Sequence, residues 1–435
     1  MITGIPVLVK TLIVFFMVLA LNRIRLKLST SLFAGAVMLG VWTGMGPYPL
    51  AKSLASNLAG FDTVNLVVVV GLILVISRLL KDSGQLDRIV SRFGALSRDP
   101  RMVGAAMPAL IGLLPMPGGA LFSAPMVDTA FCETILSKEK KTVVNYWFRH
   151  IWEYWWPLYP GVILAVGLLQ VEIWQFMAVM LPMTGVTVLA GVVFILRPMG
   201  ITAGSGKAER NIKALGKFLR EIMPIIVVVA VIALMAVITM TLRIMGFNIA
   251  LPGGTAILPG LLAALIWVVR SNRIPLGRLW AAMTNREILP MVLLVVSIML
   301  FKGVMTDSHA VSHIRDELVS YRFPLIWIIL LMPFLSGLVT GIAIGFVGTS
   351  FPLIIPLFPD GSPVEYLSYA CLAYTFGYMG MMLSPVHLCF LVTKDYFRAS
   401  LFRSYRPLAL PVITVLASGW IYFLLLRYGI AGFLL

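Results

Sequence analysis

Ten apolar runs, each about long enough as a helix to cross the hydrocarbon core of a bilayer, constrain this chain more than any other feature. Hydrophobic residues make up 60% of the 435 positions and charged residues only 12%, which is more apolar surface than one buried core accounts for. A backbone in lipid must satisfy its own hydrogen bonds, and in single runs of this length it does so as a helix. The sequence therefore predicts an all-α polytopic membrane protein, with spans at approximately 5–22, 30–48, 62–81, 143–168, 172–196, 221–243, 254–270, 287–305, 365–391 and 407–430.

Two further apolar segments, 102–131 and 323–357, are interrupted by residues that break helices. The first contains "LLPMPGGALFSAPM", with three prolines and two adjacent glycines, and the second contains "GLVTGIAIGFVGTSFP". Irregular backbone at membrane depth is tolerated only where it is buried in protein or lines a wet cavity. We therefore predict that each segment is a re-entrant hairpin whose tip lies near mid-membrane.

The interrupted segments belong to two related halves of the chain. One constant shift along the sequence brings Asp82-Ser83 onto Asp307-Ser308, Pro108 onto Pro333 and Gly112 onto Gly337. Five spans separate the starts of the two units, so the halves are expected to be inverted, as in many carriers. The predicted organisation is an N-terminal helix (1–29), a first repeat (30–197), a cytoplasmic linker (198–220), a connecting helix (221–253) and a second repeat (254–435).

The basic residues are distributed by membrane face. The net charge is +16, but 26 of the 34 Lys and Arg residues fall on one face if each interrupted segment enters and leaves on the same side. By the positive-inside rule this face is cytoplasmic. The sequence therefore predicts a multi-pass protein of the inner or plasma membrane with both termini extracytoplasmic, and no nucleic-acid partner.

The hairpins supply most of the predicted substrate-binding residues. Glycines at the tips allow a substrate to approach the main chain, and hydroxyls lie nearby. The second arm of each hairpin begins at the tip, so its N-terminal amides favour an anion. Gly119 and Gly345 are expected to contribute equivalently. The predicted residues are Pro117, Gly118, Gly119, Ala120, Ser123, Thr340, Gly341, Gly345, Gly348, Thr349 and Ser350.

The span that follows each hairpin carries the remaining candidates. In "NYWFRHIWEYWWPLYPG", Arg149, Glu153 and Trp156 recur at helical spacing and are predicted to share a face until Pro157 breaks the helix. Ionisable residues within a span usually face the bundle interior. Arg149 and Trp156 are predicted to bind substrate; a structural Arg149–Glu153 pair is the alternative.

The matching span of the second half is broken at Ser384-Pro385, and Ser384 is also predicted to bind substrate. Glu153, His150 and His387 are predicted to carry a coupling proton or ion, because the unperturbed imidazole titrates near neutral pH.

The three cysteines, Cys132, Cys371 and Cys389, show no metal-ligand spacing and are expected to be packing residues. No metal site, cofactor, catalytic residue or nucleotide-powered domain is predicted, so the protein is not expected to be an enzyme.

The hairpins "PMPGGALFSAP" and "TGIAIGFVGTSFP", together with the helix broken at "GMMLSPVHLC", resemble the ion transporter superfamily, which includes gluconate permease-like, citrate, dicarboxylate and arsenite-type carriers. Within it the chain looks most like a prokaryotic family of integral membrane proteins without an assigned substrate. The resemblance extends from about residue 30 to the end. It implies an elevator mechanism, in which a transport domain slides against a scaffold, and a homodimer. The hairpins lack the Ser-Asn-Thr motif of sodium-dicarboxylate carriers, which favours protons over sodium as the coupling ion.

The leading hypothesis is therefore a secondary carrier, in the lipid bilayer, for an anionic substrate coupled to H⁺ or Na⁺, with an organic anion favoured. Two alternatives remain open at the sequence level. One is a translocase for an amphipathic lipid phosphate such as a polyprenyl phosphate, with the tryptophans near 152–156 beside the lipid tail. The other is a passive anion channel.

Overall fold

The computed structural model describes residues 5–94, 99–116, 119–132, 136–199, 212–247, 254–320, 324–359 and 361–430, and the regular structure within these ranges is helical throughout. This confirms the all-α prediction. The α-helices are α1 (Val7–Arg23), α2 (Leu28–Trp42), α3 (Pro47–Ala59), α4 (Phe61–Asp82), α5 (Gln85–Gly94), α6 (Pro100–Ile111), α7 (Ala120–Ala130), α8 (Lys138–Arg149), α9 (Pro160–Leu169), α10 (Ile173–Gly191), α11 (Ile212–Ile244), α12 (Leu258–Ser271), α13 (Leu276–Met283), α14 (Ile288–Asp307), α15 (Ala310–Ser320), α16 (Leu325–Thr340), α17 (Ala343–Ile354), α18 (Pro363–Met382), α19 (Leu388–Phe397) and α20 (Leu401–Leu424).

Five stretches of helix among the described residues are long and apolar enough to cross a membrane, which indicates a membrane protein. They correspond to five of the ten predicted spans: α4, α10 with its continuation to Met199, α11 from Leu215, α14, and α20 with its continuation to Gly429. Other predicted spans are shorter apolar helices, such as α2 and α12, or are divided in two.

Local sequence signals account for many of the helix starts. Proline is the first residue of α3, α6, α9 and α18, where its missing N–H costs no helical hydrogen bond. The side chains of Asp99, Ser137, Ser362 and Ser400 accept hydrogen bonds from backbone N–H groups in the first turns of α6, α8, α18 and α20.

The centre of the molecule is formed by α8, α9, α17 and α18. Every residue of α9 is buried, as is nearly all of α17. By contrast, only 22% of the apolar window of α11 and 33% of that of α20 are buried within the chain. These two helices therefore lie at the periphery, with most of their apolar surface directed outward.

Both interrupted segments form pairs of packed helices, α6 with α7 and α16 with α17. Each pair packs on the span that follows it through one glycine. A Cβ on Gly112 would lie 2.0 Å from the carbonyl oxygen of Arg149, and a Cβ on Gly337 would lie 2.1 Å from that of Gly377. Glycine is required at both positions because the backbones touch there.

The first broken helix ends earlier than the sequence predicts. We expected α8 to continue to Pro157, with Glu153 and Trp156 on the same face as Arg149, but the helix ends at Arg149 and residues 150–159 form turns. A proline clashes with the carbonyl four residues before it and disfavours a helical conformation at the residue before it. Pro157 and Pro160 therefore disfavour a helix from about Glu153 to Tyr159, while hydrogen bonds from other helices to the carbonyls of His150 and Ile151 hold the start of the break.

Candidate functional site

An open cavity of about 190 Å³ lies where the two broken helices meet the two helix pairs. Leu74 of α4 and Met291 of α14 form one wall, and the breaks between α6 and α7, α8 and α9, α16 and α17, and α18 and α19 form the rest. Much of the lining is apolar. Its polar and ionisable side chains belong to Arg149, His150, Glu153, Tyr159, His387 and Cys389.

Arg149, the last residue of α8, brings a permanent positive charge into this cavity. The residue is only 2% exposed. Its Nη2 donates a hydrogen bond to the carbonyl oxygen of Met116 at 2.9 Å, while Nε and Nη1 have no hydrogen-bond partner among the described residues. The nearby Cys389 sulfur interacts with the guanidinium electrostatically. Unpartnered buried donors are costly, and more so on a charged group. Nε and Nη1 carry three N–H groups between them, and guanidinium N–H groups bind carboxylate and phosphate oxygens.

Three helices begin at the cavity: α9, α17 and α19. The first N–H groups of a helix have no partner within the helix and carry partial positive charge. The starts of α9 and α17 touch, since a Cβ on Gly161 would lie 2.8 Å from the Cβ of Ala343. The helix starts and Arg149 therefore all contribute positive electrostatic potential to the cavity.

Two histidines and a cysteine meet beside the arginine. The Nε2 atoms of His150 and His387 are 3.1 Å apart. Glu153 Oε1 lies 3.8 Å from His150 Nε2. The ring nitrogens and the Cys389 sulfur lie within 4.8 Å of one another, and all three residues are buried. The cavity thus combines a fixed cation with side chains that bind protons or metal ions.

Side chains from neighbouring helices satisfy the carbonyl groups of residues 150–159 that a continuous helix would have bonded. Tyr374 Oη donates to the Glu153 carbonyl at 2.8 Å, Tyr378 Oη donates to that of His150, and Thr184 Oγ1 donates to that of Ile151 at 2.9 Å. Buried main-chain groups need such partners. The break is therefore held in place by α18 and α10.

A second, more enclosed cavity of about 130 Å³ shares Met116 and Met291 with the first, so the two cavities adjoin. Its lining includes Arg78 and Lys81, and Arg78 is paired with Asp82 at 2.7 Å and with Glu287 at 3.5 Å. These residues lie on the face predicted to be cytoplasmic.

The first hairpin places its predicted residues behind the arginine. A Cβ on Gly119 would lie 2.6 Å from Arg149 Nη2, so this glycine packs against the guanidinium. Ala120 and Ser123 are fully buried, and the Ala120 carbonyl accepts hydrogen bonds from Ser123 and Asn145. Pro117 and Gly118 lie outside the described residues.

The second hairpin brings Gly341 to the cavity. Gly341 ends α16 with φ +65°, a conformation that favours glycine, and packs on Ser384 and His387. Five other predicted residues do not line the cavity. Gly345 packs on Thr340, Gly348 packs on Ile298 of α14, and the hydroxyls of Thr349 and Ser350 bond to main-chain carbonyls of their own helix.

The tryptophans near 152–156 face the α6–α7 pair and not the cavity. Trp152 Nε1 donates to the Ala109 carbonyl and Trp156 Nε1 to that of Leu113, each at 2.9 Å. The carbonyls at the end of a helix have no partner within it, and these indoles supply one. Of the two substrate-binding residues proposed for this span, Arg149 lines the cavity and Trp156 does not.

Cys389 is the member of the site that sequence reasoning missed. It follows His387 by two residues at the start of α19, and a Pro-x-His-x-Cys pattern directly after a helix break was the available signal. The sequence analysis grouped His387 with His150 and Glu153 as coupling residues, but it did not place Cys389 beside them.

The chain belongs to the family described as "Protein of unknown function (DUF401)", which matches residues 8–426. A search of curated proteins finds no match.

Proposed function

We propose that this member of the DUF401 family is a secondary membrane carrier for a small anion, with the substrate bound in the cavity at Arg149. The observation that carries the proposal is an arginine that is 2% exposed, lines a cavity and has two guanidinium nitrogens without hydrogen-bond partners in the described part of the chain. A structural arginine of this burial would normally have its donors satisfied by protein groups. An anion in the cavity would provide the missing acceptors.

The surroundings of Arg149 support an anionic substrate. The starts of α9, α17 and α19 add partial positive charge to the cavity. Lys81, on the adjoining cavity, would raise the local concentration of anions there, whereas Arg78 is paired with Asp82 and Glu287.

Helix boundaries support the inverted repeat that is part of this proposal. The starts of α5, α6 and α8 precede those of α15, α16 and α18 by one constant offset, and the starts of α9 and α10 precede those of α19 and α20 by a slightly larger one. The backbone contact of Gly112 with Arg149 has its counterpart in that of Gly337 with Gly377. Gly112 and Gly337 are separated by the same offset as the starts of α6 and α16. Their partners, Arg149 and Gly377, are separated by the same larger offset as the starts of α9 and α19.

An elevator movement is consistent with where the cavity lies. α4 and α14 contribute Leu74 and Met291, while the helix pairs and broken helices contribute every ionisable group that lines it. We propose that α4 and α14 belong to the scaffold and that the helix pairs and broken helices move past them with the substrate.

We propose protons as the coupling ion, carried by Glu153, His150 and His387. These side chains are buried and line the substrate cavity. The Glu153 carboxylate lies 3.8 Å from the His150 ring, which lies 3.1 Å from the His387 ring. A proton taken up there changes the charge beside the bound anion. Substrate and proton binding would therefore be thermodynamically linked.

The lipid phosphate alternative rested on the tryptophan-rich face near 152–156 and on the aliphatic residues near the first hairpin. Trp152 and Trp156 bond to carbonyls at the end of the first hairpin arm, so the tryptophan part of this argument does not apply to the cavity. The anion channel alternative has no specific observation in its favour.

The first experiment is a thermal-shift screen of the purified protein with carboxylates, phosphates and inorganic oxyanions, since a ligand that binds only the folded state raises the melting temperature. The best anion is then titrated into wild type, Arg149→Met and the control Arg403→Met, in which an exposed arginine is changed. A hydrogen bond to a charged group contributes about 1.5–3 kcal/mol, so losing two should weaken binding by at least about 100-fold. Wild-type affinity in a folded Arg149→Met variant would contradict the proposed site.

Transport is tested in proteoliposomes with the anion identified by the screen. We expect uptake that is accelerated by a proton gradient, abolished by Arg149→Met and unchanged by Arg403→Met. Uptake that does not respond to imposed proton, sodium or voltage gradients would reject the coupled carrier.

A further inference from the structure

The contact between His150 and His387 has an unusual consequence for the protons on the two rings. Nδ1 of His150 lies 2.6 Å from the carbonyl oxygen of Tyr146, and Nδ1 of His387 lies 3.3 Å from that of Met381. A carbonyl oxygen only accepts hydrogen bonds, so these contacts favour the tautomers with the hydrogen on Nδ1. In neutral rings both Nε2 atoms then present lone pairs.

These two lone pairs face each other across 3.1 Å. Two acceptors at this distance repel unless a positive centre lies between them. The Cys389 sulfur joins the same group: one ligand atom from each of the three residues lies within 4.8 Å of the other two. A cation shared by the two imidazoles and the sulfur would remove the repulsion between the lone pairs.

We propose that His150 Nε2, His387 Nε2 and Cys389 Sγ bind one transition metal ion of the Zn²⁺ class. Zn²⁺ takes imidazole nitrogens at about 2.0–2.1 Å and thiolates at about 2.3 Å, so two nitrogens in a tetrahedral site are about 3.3 Å apart. The observed 3.1 Å separation is close to this value. Histidines that bind a metal commonly donate their other N–H to a backbone carbonyl, as both do here.

The charges around the three ligands are compatible with a bound divalent ion. The Cys389 thiolate and the Glu153 carboxylate would balance its charge, and Glu153 Oε1, 3.8 Å from His150 Nε2, is close enough to take a fourth position directly or through a water. Arg149 lines the same cavity. A metal ion with one open position would therefore present a second positive centre to an anion. A metal ion on both imidazoles would take the place of the coupling proton proposed for the histidine pair, but the metal site does not depend on anion binding at Arg149.

The test uses the full-length protein purified in detergent, stripped with a chelator and titrated with Co²⁺ as a spectroscopic substitute for Zn²⁺. We expect one Co²⁺ per chain, a thiolate-to-cobalt charge-transfer band, and displacement by Zn²⁺. Cys389→Ser should remove the band and weaken binding more than about 100-fold, since even changes outside the ligand set cost about 10–100-fold.

Two further variants complete the test. Cys371→Ser changes a buried cysteine outside the cluster and should bind Co²⁺ like wild type. His387→Gln should weaken binding without removing the thiolate band. Melting temperatures of all variants confirm that they are folded.

A proton is the competing occupant of the histidine pair. In that case stripped wild type binds Co²⁺ no better than the double variant His387→Gln/Cys389→Ser, and the metal proposal is rejected. Binding that is unchanged in Cys389→Ser also rejects it. Anion binding is measured separately on the stripped protein, so failure of the metal site is distinguishable from failure of the carrier proposal.

Discussion

The break between α8 and α9 and the break between α18 and α19 occupy corresponding places in the chain but are built from different side chains. The first covers residues 150–159 and needs hydrogen bonds from other helices to satisfy its carbonyls, including those from Tyr374 and Tyr378. The second covers only residues 383–387, and Ser384 Oγ accepts a hydrogen bond from the N–H of Val386 within the same turn. The first break is maintained by tertiary contacts, and the second largely by its own sequence.

The chemistry of the two breaks differs in the same way. The first provides the charged groups, Arg149 and Glu153, while the second provides His387, Cys389 and the start of α19. The two breaks therefore have similar backbones but contribute different chemical groups to the cavity between them. We infer that the first half determines the charge of the ligand, and that the second half supplies amide and imidazole groups that complete the site.

The largest expected difference between the halves is at the hairpin glycines. Gly119→Leu should abolish anion binding with little loss of folded protein, because its side chain would displace the Arg149 guanidinium, only 2.6 Å from an added Cβ. We now expect Gly345→Leu to act differently, since its Cβ would meet Thr340 and not the cavity. It should lower stability by about 1–3 kcal/mol and reduce transport in proportion to folded protein.

Calorimetric affinity and melting temperature of both variants check this difference. Equal loss of binding in two equally stable variants would support the equivalence that the sequence predicts. Unchanged binding in Gly119→Leu would remove the hairpin tip from the site.

The backbone contacts should respond equally in the two halves. Gly112→Ala and Gly337→Ala should each destabilise the protein by about 3 kcal/mol, because the added Cβ meets a carbonyl oxygen at 2.0 Å and 2.1 Å and the helices must separate. Gly185→Ala is the matched control, since an added Cβ there has no neighbour within 4 Å. Denaturant unfolding of the three variants measures the effect. A large loss for only one of the first two would show that the contacts are not equivalent.

Removing a hydroxyl that supports the first break should have a smaller effect. Tyr378→Phe removes one of the two hydrogen bonds that the buried His150 carbonyl accepts, the other coming from the N–H of Glu153, and should cost about 1.5 kcal/mol. Tyr366→Phe, which removes a less buried bond to the Leu169 carbonyl, should cost less. The melting temperatures of the Tyr378→Phe and Tyr366→Phe variants measure this difference. Equal losses of melting temperature in the two variants would mean that the break does not depend on α18.

The smallest effect is expected at the second break. Ser384→Ala removes a 3.3 Å hydrogen bond within one turn and should change stability by about 1 kcal/mol or less, with anion affinity unchanged. Titration of the anion is the deciding measurement. A loss of affinity would restore the sequence prediction that Ser384 contacts the substrate.

The sequence by itself determined the helical class, the membrane setting and the two interrupted segments. These depend on local properties: apolar runs force helical hydrogen bonding in lipid, and prolines and glycines interrupt it wherever they occur. The same reasoning selected Arg149, Glu153 and His387, which the structure places in one cavity, because ionisable groups in apolar spans must face the protein interior.

Only the tertiary structure decided which of the predicted site residues contact one another and which of them point away from the cavity. The extent of the first break depends on Tyr374 and Tyr378, which lie in the other half of the chain, and the place of Cys389 depends on His150, again across the two halves. Trp156 turned from the cavity to the end of α6, where the Leu113 carbonyl needed a partner. The physical reason is that helix breaks create unsatisfied backbone groups, and the side chains that satisfy them are chosen by packing between distant segments, which no local pattern records.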